Sequence, residues 1–317
     1  MTVDQQVPTA IYVRRGRSAR RKIVRHWQLY FIVLLPTVQL LIFKYMPMLG
    51  AQIAFKKYSP RKGIWGSQFI GWQNFARFFD SPSSLQIIIN TIIISLYSIA
   101  ATFPFAIMLA IALNETRSKK FKKTVQMVTY APYFISTVVL VSMINQFLNP
   151  TIGIISLIFK RFGVELGNVV GMPSVFRHLY VWSGVWQNNG YNAIIYLAAL
   201  TSINPELQEA AVVDGCSRVK RIWHVDLPCI RPTIVTLLIL NVGQVMSVGF
   251  EKIFLMQNPA ILSISEVIST YVYRVGLTGS TDPGYASAIG LFNSVVNVML
   301  ILVANFAARR IDGTGLW

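Results

Sequence analysis

At 317 residues, with 54% hydrophobic and 13% charged, the chain is far more apolar than a soluble domain, where about 25% of residues are charged. The net charge of +17 would point to nucleic acid in a soluble protein. Here the basic residues flank long apolar runs, which excludes an ordinary soluble enzyme and favours a membrane protein.

Residues 1–26 form a basic tail holding Arg14, Arg15, Arg17, Arg20, Arg21, Lys22 and Arg25. From residue 27 onward the chain is predicted to be a membrane domain, because crossing ~30 Å of hydrocarbon takes about 20 residues. Six apolar runs meet that length, at 28–48, 86–113, 125–148, 176–200, 230–257 and 285–308. The first contains Pro36 and is followed by no small-residue cleavage site, so it reads as an uncleaved anchor rather than a signal peptide. The segment after it, up to Phe79, is rich in Gly, Pro and aromatic residues. Trp65, Phe69, Trp72, Phe75, Phe78 and Phe79 are expected to hold it at the membrane interface. Residues 149–175 are expected to be an outer loop with a short amphipathic helix near 152–162. Residues 258–284 are expected to be another, ending in the turn-rich GLTGSTDPG.

Charge sets the orientation. Arg117, Lys119, Lys120, Lys122 and Lys123 follow the second run, Arg218, Lys220, Arg221 and Arg231 follow the fourth, and Arg309 and Arg310 end the sixth. With six spans these loops share one side with the basic tail. Positive residues favour the cytoplasmic side, which places both termini and the loop 202–229 in the cytoplasm. The outer segment does carry Lys56, Lys57, Arg61, Lys62 and Arg77, but long loops follow the rule less strictly. Nucleic-acid binding by the tail is the alternative use of its charge.

Cys216 and Cys229 fall in the cytoplasmic loop, where thiols stay reduced. His26, His178 and His224 are scattered, so neither a disulfide framework nor a metal site is expected.

The loop 202–229 is the most specific stretch. Asn204 and Pro205 can start a helix, in which Leu207, Ala210 and Ala211 share a face at three- and four-residue spacing. Glu209 offers a carboxylate to a partner. Gly215 permits the turn that ends the helix. Ser217 can cap a second helix, which Pro228 is expected to stop before the fifth span. Residues 209–228 read EAAVVDGCSRVKRIWHVDLP. The order Glu209-Ala210-Ala211, Gly215, an aliphatic Val225, then Leu227-Pro228 resembles the coupling loop of permease subunits in bacterial binding-protein-dependent ABC importers of the maltose-permease type. Val225 stands where that family more often has Ile.

The resemblance covers nearly the whole chain after residue 27. It implies an all-α membrane protein with six transmembrane helices, a five-helix type I importer core over about 85–309 and a cytoplasmic coupling helix. It further implies a second homologous permease, identical or different, two copies of an ATPase carrying ATP and Mg, and an external solute-binding protein. The coupling helix would seat in a cleft of the ATPase and move as a lever when the ATPases close. The outer segment and overall length resemble the complex-carbohydrate branch, and specifically the larger-type permease of alginate importers. The basic outer residues, with Lys160 and Arg161, are compatible with a polyanionic cargo, with lipid headgroups or with the binding protein.

Polar residues within spans face a cavity or a neighbouring helix. The fourth span is densest, with Trp182, Trp186, Gln187, Asn188, Asn189, Tyr191 and Asn192. Asn241 and Gln244 in the fifth span, and Asn293 and Asn297 in the sixth, extend the set. Amides exchange hydrogen bonds with hydroxyls and rings stack on pyranose faces, so these residues are candidates for a saccharide path. Interhelical hydrogen bonding is the bland alternative for each. Ala286 and Gly290 read as a packing pair.

No G-x-x-x-x-G-K-[ST] phosphate loop is present, and no catalytic dyad, so ATP hydrolysis is assigned to another chain. Titratable groups are scarce within spans, with Glu251 and Lys252 expected near the outer end of the fifth. A self-contained secondary carrier normally needs such a group in its path. That carrier and a membrane scaffold that has borrowed a docking loop are the rival readings. Cargo identity and resting state are open.

Overall fold

The computed structural model describes residues 26–278, 281–313 and 315–316. The seven basic residues of the tail lie outside them, as do Gly279 and Ser280 of the turn-rich stretch. Residues up to Gln52 form one compact unit and residues from Ile53 a second. In the first, helix α1 (Trp27–Leu40) continues through a π turn at Leu41–Tyr45 to Met48. Pro36 lies inside α1, and Thr37 Oγ1 donates to Val33 O at 2.7 Å. None of α1 is buried. A helix apolar on all sides, as this one is, belongs in lipid.

The second unit opens with a small antiparallel hairpin, β1 (Lys56–Lys57) and β2 (Gln68–Phe69), in the register Lys56 to Phe69. Helix α2 (Gln73–Phe79) follows, with Phe55, Trp72 and Phe75 packed as a ring cluster at centroid distances of 5.0–5.4 Å. Asn74 is buried and ties α2 back by donating to Ala54 O at 2.8 Å. Trp65, Phe69, Trp72 and Phe79 are exposed, in keeping with an interfacial segment, and Phe75 is half-buried. Phe78 corrects the expectation: it is buried against Phe292 and Tyr271, so it belongs to the core.

Helix α3 (Ser84–Glu115) is the long strut of the unit. Ser118 caps α4 (Lys119–Tyr130), accepting from Phe121 N. A 3-10 turn at Ala131–Phe134 and an extended Ile135 then lead into α5 (Thr137–Phe147), capped by Ser136. The two helices meet at 98°. The third span expected at 125–148 is a bent pair, because Pro132 and the cap at Ser136 interrupt the ladder.

The amphipathic helix expected near 152–162 is present as α6 (Ile154–Arg161). Helix α7 (Pro173–Thr201) carries the expected fourth span and packs along α3. It is followed by the loop helix α8 (Pro205–Val213).

From Arg218 the chain runs as one helical segment: α9 (Arg218–Arg221), a π turn at Ile222–Asp226 and α10 (Leu227–Val242). Pro228 does not stop the helix as expected. The wide π turn just before it absorbs the proline, which cannot donate to the carbonyl four residues back. The expected fifth span ends early, at Val242, in irregular chain that includes Gly243 and Gly249, and resumes as α11 (Phe250–Met256).

The segment expected as an outer loop at 258–284 is partly core. It includes α12 (Ile268–Tyr273), and Ile261, Ser265, Val267 and Ile268 are buried. Asn90 of α3 donates to Ser263 O and Glu266 O, and Thr91 Oγ1 accepts from Ile268 N. Helix α13 (Pro283–Asp312), capped by Asp282 and ended by Gly313 in the left-handed region, closes the unit.

Among the described residues four helical runs are long and apolar enough to cross a membrane: Trp27–Phe55, Ser84–Glu115, Arg218–Val242 and Pro283–Arg310. The bent pair makes a fifth if its halves are counted together. Helix α7 has the length, 29 residues, but its amides lower its hydropathy.

Candidate functional site

The loop between α7 and α10 is built by local chemistry. Asn204 Oδ1 accepts from Glu206 N at 3.1 Å, and Pro205 takes the first helical position, where a missing N–H costs nothing. At the other end Cys216 N donates to Ala211 O at 2.9 Å and Gly215 N to Val212 O at 3.0 Å. This pair of bonds is a Schellman ending, which puts Gly215 at φ +77°. Open space surrounds its Cα, so backbone angle rather than crowding requires glycine. Ser217 caps α9, accepting from Lys220 N at 3.5 Å.

Leu207, Glu209, Ala210, Val212 and Val213 are exposed, Leu207 by 50% and Val213 by 87%. Ala211 is buried, so it packs against its own chain and does not share the exposed face with Leu207 and Ala210. Leu227 is half-buried and Pro228 exposed.

Two polar contacts fasten this loop. Gln208 Nε2 of α8 donates to Asp226 Oδ1 at 3.0 Å, and Asp226 is buried. Arg221 of α9 donates to both carboxylate oxygens of Glu115, the last residue of α3, at 2.7 and 2.8 Å. No motif in the sequence marks Gln208, Arg221 or Glu115 for these roles. Partners so far apart in the chain leave no local pattern.

The polar residues of the spans divide by environment. Gln187 is buried and donates to Ile135 O at 2.8 Å, satisfying the carbonyl freed where the bent pair breaks. Asn297 accepts from Met246 N at 3.0 Å and donates to Ser247 Oγ at 2.8 Å, securing the break after α10. These two hold backbone. Trp182 Nε1 donates to Tyr97 Oη at 3.0 Å and its ring meets Phe105 edge-on. Tyr191 stacks on Tyr133 with centroids 3.9 Å apart. Trp182, Trp186 and Tyr191 are exposed. Asn189 and Asn293 each bury an Oδ1 that has no hydrogen-bond partner. Gln244 lines neither of the two cavities below and its side chain has no described contact, although its carbonyl accepts from Ser247 N.

Asn188, Asn192 and Asn241 converge on open space. A cavity of about 180 Å³ between α3, α7 and α10 is lined by Asn192 and Asn241 together with Ser98, Thr102 and Tyr196. A second, of about 250 Å³, shares Ser98, Thr102 and Asn192 and extends to Asn188, Tyr180 and Lys252. Asn188 Nδ2 and Asn241 Nδ2 are each bonded to a carbonyl of their own helix, leaving their Oδ1 atoms as acceptors. Lys252 is buried, because α11 sets it against Tyr180 of α7. Among the described residues no group of three His, Cys, Asp or Glu side chains could hold a metal ion.

The model of the family described as the binding-protein-dependent transport system inner membrane component matches residues 102–313. Protein LplB of Bacillus subtilis is 36% identical over 303 residues, covering 96% of this chain and 95% of that protein. The polygalacturonan/rhamnogalacturonan transport system permease protein YteP of the same organism is 36% identical over 320 residues, covering 100% of this chain and 99% of that protein. A chain from the crystal structure of a bacterial alginate ABC transporter, in complex with an alginate pentasaccharide-bound periplasmic protein, superposes with a TM-score of 0.86. It is 39% identical and covers 95% of this chain and 100% of that one.

Proposed function

The chain belongs to the binding-protein-dependent transport system inner membrane component family, and we propose that it is one of two permease subunits of an ATP-driven oligo- or polysaccharide importer. The observation that carries the mechanism is the loop: α8 stands exposed at the end of α7, Gln208 bonds it to Asp226 just before α10, and Arg221 of the adjoining α9 bonds Glu115 at the end of α3. A push on α8 is therefore delivered to α3 and α10 together. The partner in that push is a cytoplasmic ATPase, present in two copies and supplying ATP and Mg, with Leu207, Glu209 and Ala210 on the docking face and Ala211, Gly215, Leu227 and Pro228 setting its shape. In this reading the six spans place both termini in the cytoplasm, and an external solute-binding protein delivers cargo to the opposite side.

The saccharide class rests on its relatives, whose names specify polygalacturonan, rhamnogalacturonan and alginate, and on the amides of Asn188, Asn192 and Asn241, which line two cavities between helices that share Asn192. Alginate and pectin-derived oligosaccharides are both acidic and fit alike. Purification in mild detergent, followed by mass spectrometry of what stays bound, tests the assembly. A co-purifying ATPase and second permease are expected. A chain that purifies alone would return the secondary carrier and the scaffold to consideration.

A further inference from the structure

Lys252 is the cation of the inter-helix cavity. It is only 9% exposed, and Nζ donates to Tyr180 O at 2.9 Å and lies 4.9 Å from the Tyr180 ring centroid. None of the ion pairs among the described residues involves it. Gly184, one turn along α7 from Tyr180, makes room for it: a Cβ there would stand 3.3 Å from Nζ. A buried ammonium normally requires a counter-charge, and this one has a carbonyl, a ring face and an open side. That open side is the cavity, where the buried Ser98 Oγ has no hydrogen-bond partner and the Asn188 Oδ1 is free of its helix bond.

We propose that Lys252 is the specificity-determining residue for acidic sugar units, pairing with a cargo carboxylate while Ser98, Thr102 and Asn192 meet ring hydroxyls. The idea rests on the saccharide-importer reading and deepens it. An ammonium beside neutral amides and hydroxyls discriminates a uronate from the corresponding neutral hexose by charge, while the neutral groups serve either. The carboxylate need not be held tightly. A single cation in a cavity shared by three helices lets one sugar unit replace the next.

The test is ATP-driven uptake of a short oligogalacturonide by the complete transporter in proteoliposomes, alongside assembly and basal ATP hydrolysis. Lys252→Met should lower uptake at least about tenfold, while Lys252→Arg keeps it within about threefold of wild type. Ser98→Asp leaves the lysine in place and puts a competing carboxylate in the same cavity; it too should lower uptake about tenfold with assembly intact. Should Lys252→Met fail to assemble, Ser98→Asp decides alone. Unchanged uptake in Ser98→Asp, or equal losses in Lys252→Met and Lys252→Arg, overturns the proposal and leaves the importer reading standing. Wild type that moves a neutral oligosaccharide but no oligogalacturonide overturns it as well. Wild type that moves no saccharide at all brings down both.

Discussion

Arg221 holds both oxygens of Glu115 across 106 residues of sequence, at 2.7 and 2.8 Å, with both side chains about four-fifths buried. This ties the second helix of the loop to the end of the longest helix. Exposed ion pairs contribute ~0–1 kcal/mol and buried ones cost more to break; removing one partner of this partly buried pair should cost about 1–2 kcal/mol. Arg221→Ala should therefore assemble, with cargo-stimulated ATP hydrolysis reduced severalfold relative to the basal rate. A reversed pair, Glu115→Arg with Arg221→Glu, should recover part of the stimulation. Full stimulation in Arg221→Ala would show that the link carries no force.

Gly215→Val tests the turn. A β-branched residue at φ +77° is strained by about 1–3 kcal/mol, and the space around it is open, so the effect is conformational. Co-purification of the ATPase should fall sharply, while Gly215→Asn, which tolerates the left-handed region, should fall little. Equal retention in both variants would mean that the turn does not set the docking geometry.

Glu209 is exposed on α8. Glu209→Ala should leave thermal unfolding of the subunit within about 0.5 kcal/mol and weaken ATPase binding, with a smaller difference from wild type at high salt because exposed charges are screened. Unaltered binding and unaltered cargo-stimulated hydrolysis would remove it from the contact.

Asn192 and Gln187 lie five positions apart on one helix and should separate cleanly. Asn192 lines both cavities, so Asn192→Leu should reduce uptake about tenfold with the complex assembled. Gln187 holds the Ile135 carbonyl, so Gln187→Leu should instead lower thermal stability by about 1–3 kcal/mol, the cost of an unsatisfied buried acceptor. Trp186→Ala and Asn189→Ala complete the comparison through the same uptake measurement, and normal rates would remove either from the path.

What the sequence made legible was local. Asn204, Gly215 and Ser217 act on residues within five positions, and all three ends of the loop helices form as their chemistry dictates. Long apolar runs were equally plain in α1, α3 and α13. The breaks at Ile135 and after Val242 were harder to read: Pro132 and Ser136 stand beside the first, but the backbone groups that both breaks free are met by distant amides. Gln187 and Asn297 satisfy backbone groups about 50 residues away, and an amide in a span reads the same whether it serves a cargo or a carbonyl. Lys252 was visible as a charge but not as a cavity residue, since only the reversal of the chain after α10 brings it against Tyr180.

The bent pair has a consequence for biosynthesis. Helices α4 and α5 are each too short to cross the hydrocarbon, and among the described residues the carbonyl of Ile135 at their junction takes its side-chain donor from Gln187, 52 residues later. An unsatisfied backbone group in lipid costs several kcal/mol. At synthesis rates of ~5–20 residues per second the junction waits about 3–10 seconds for its partner. During that interval residues 119–147 must stay beside the translocon or near the aqueous boundary, and they enter the bilayer together with α7 as one insertion event.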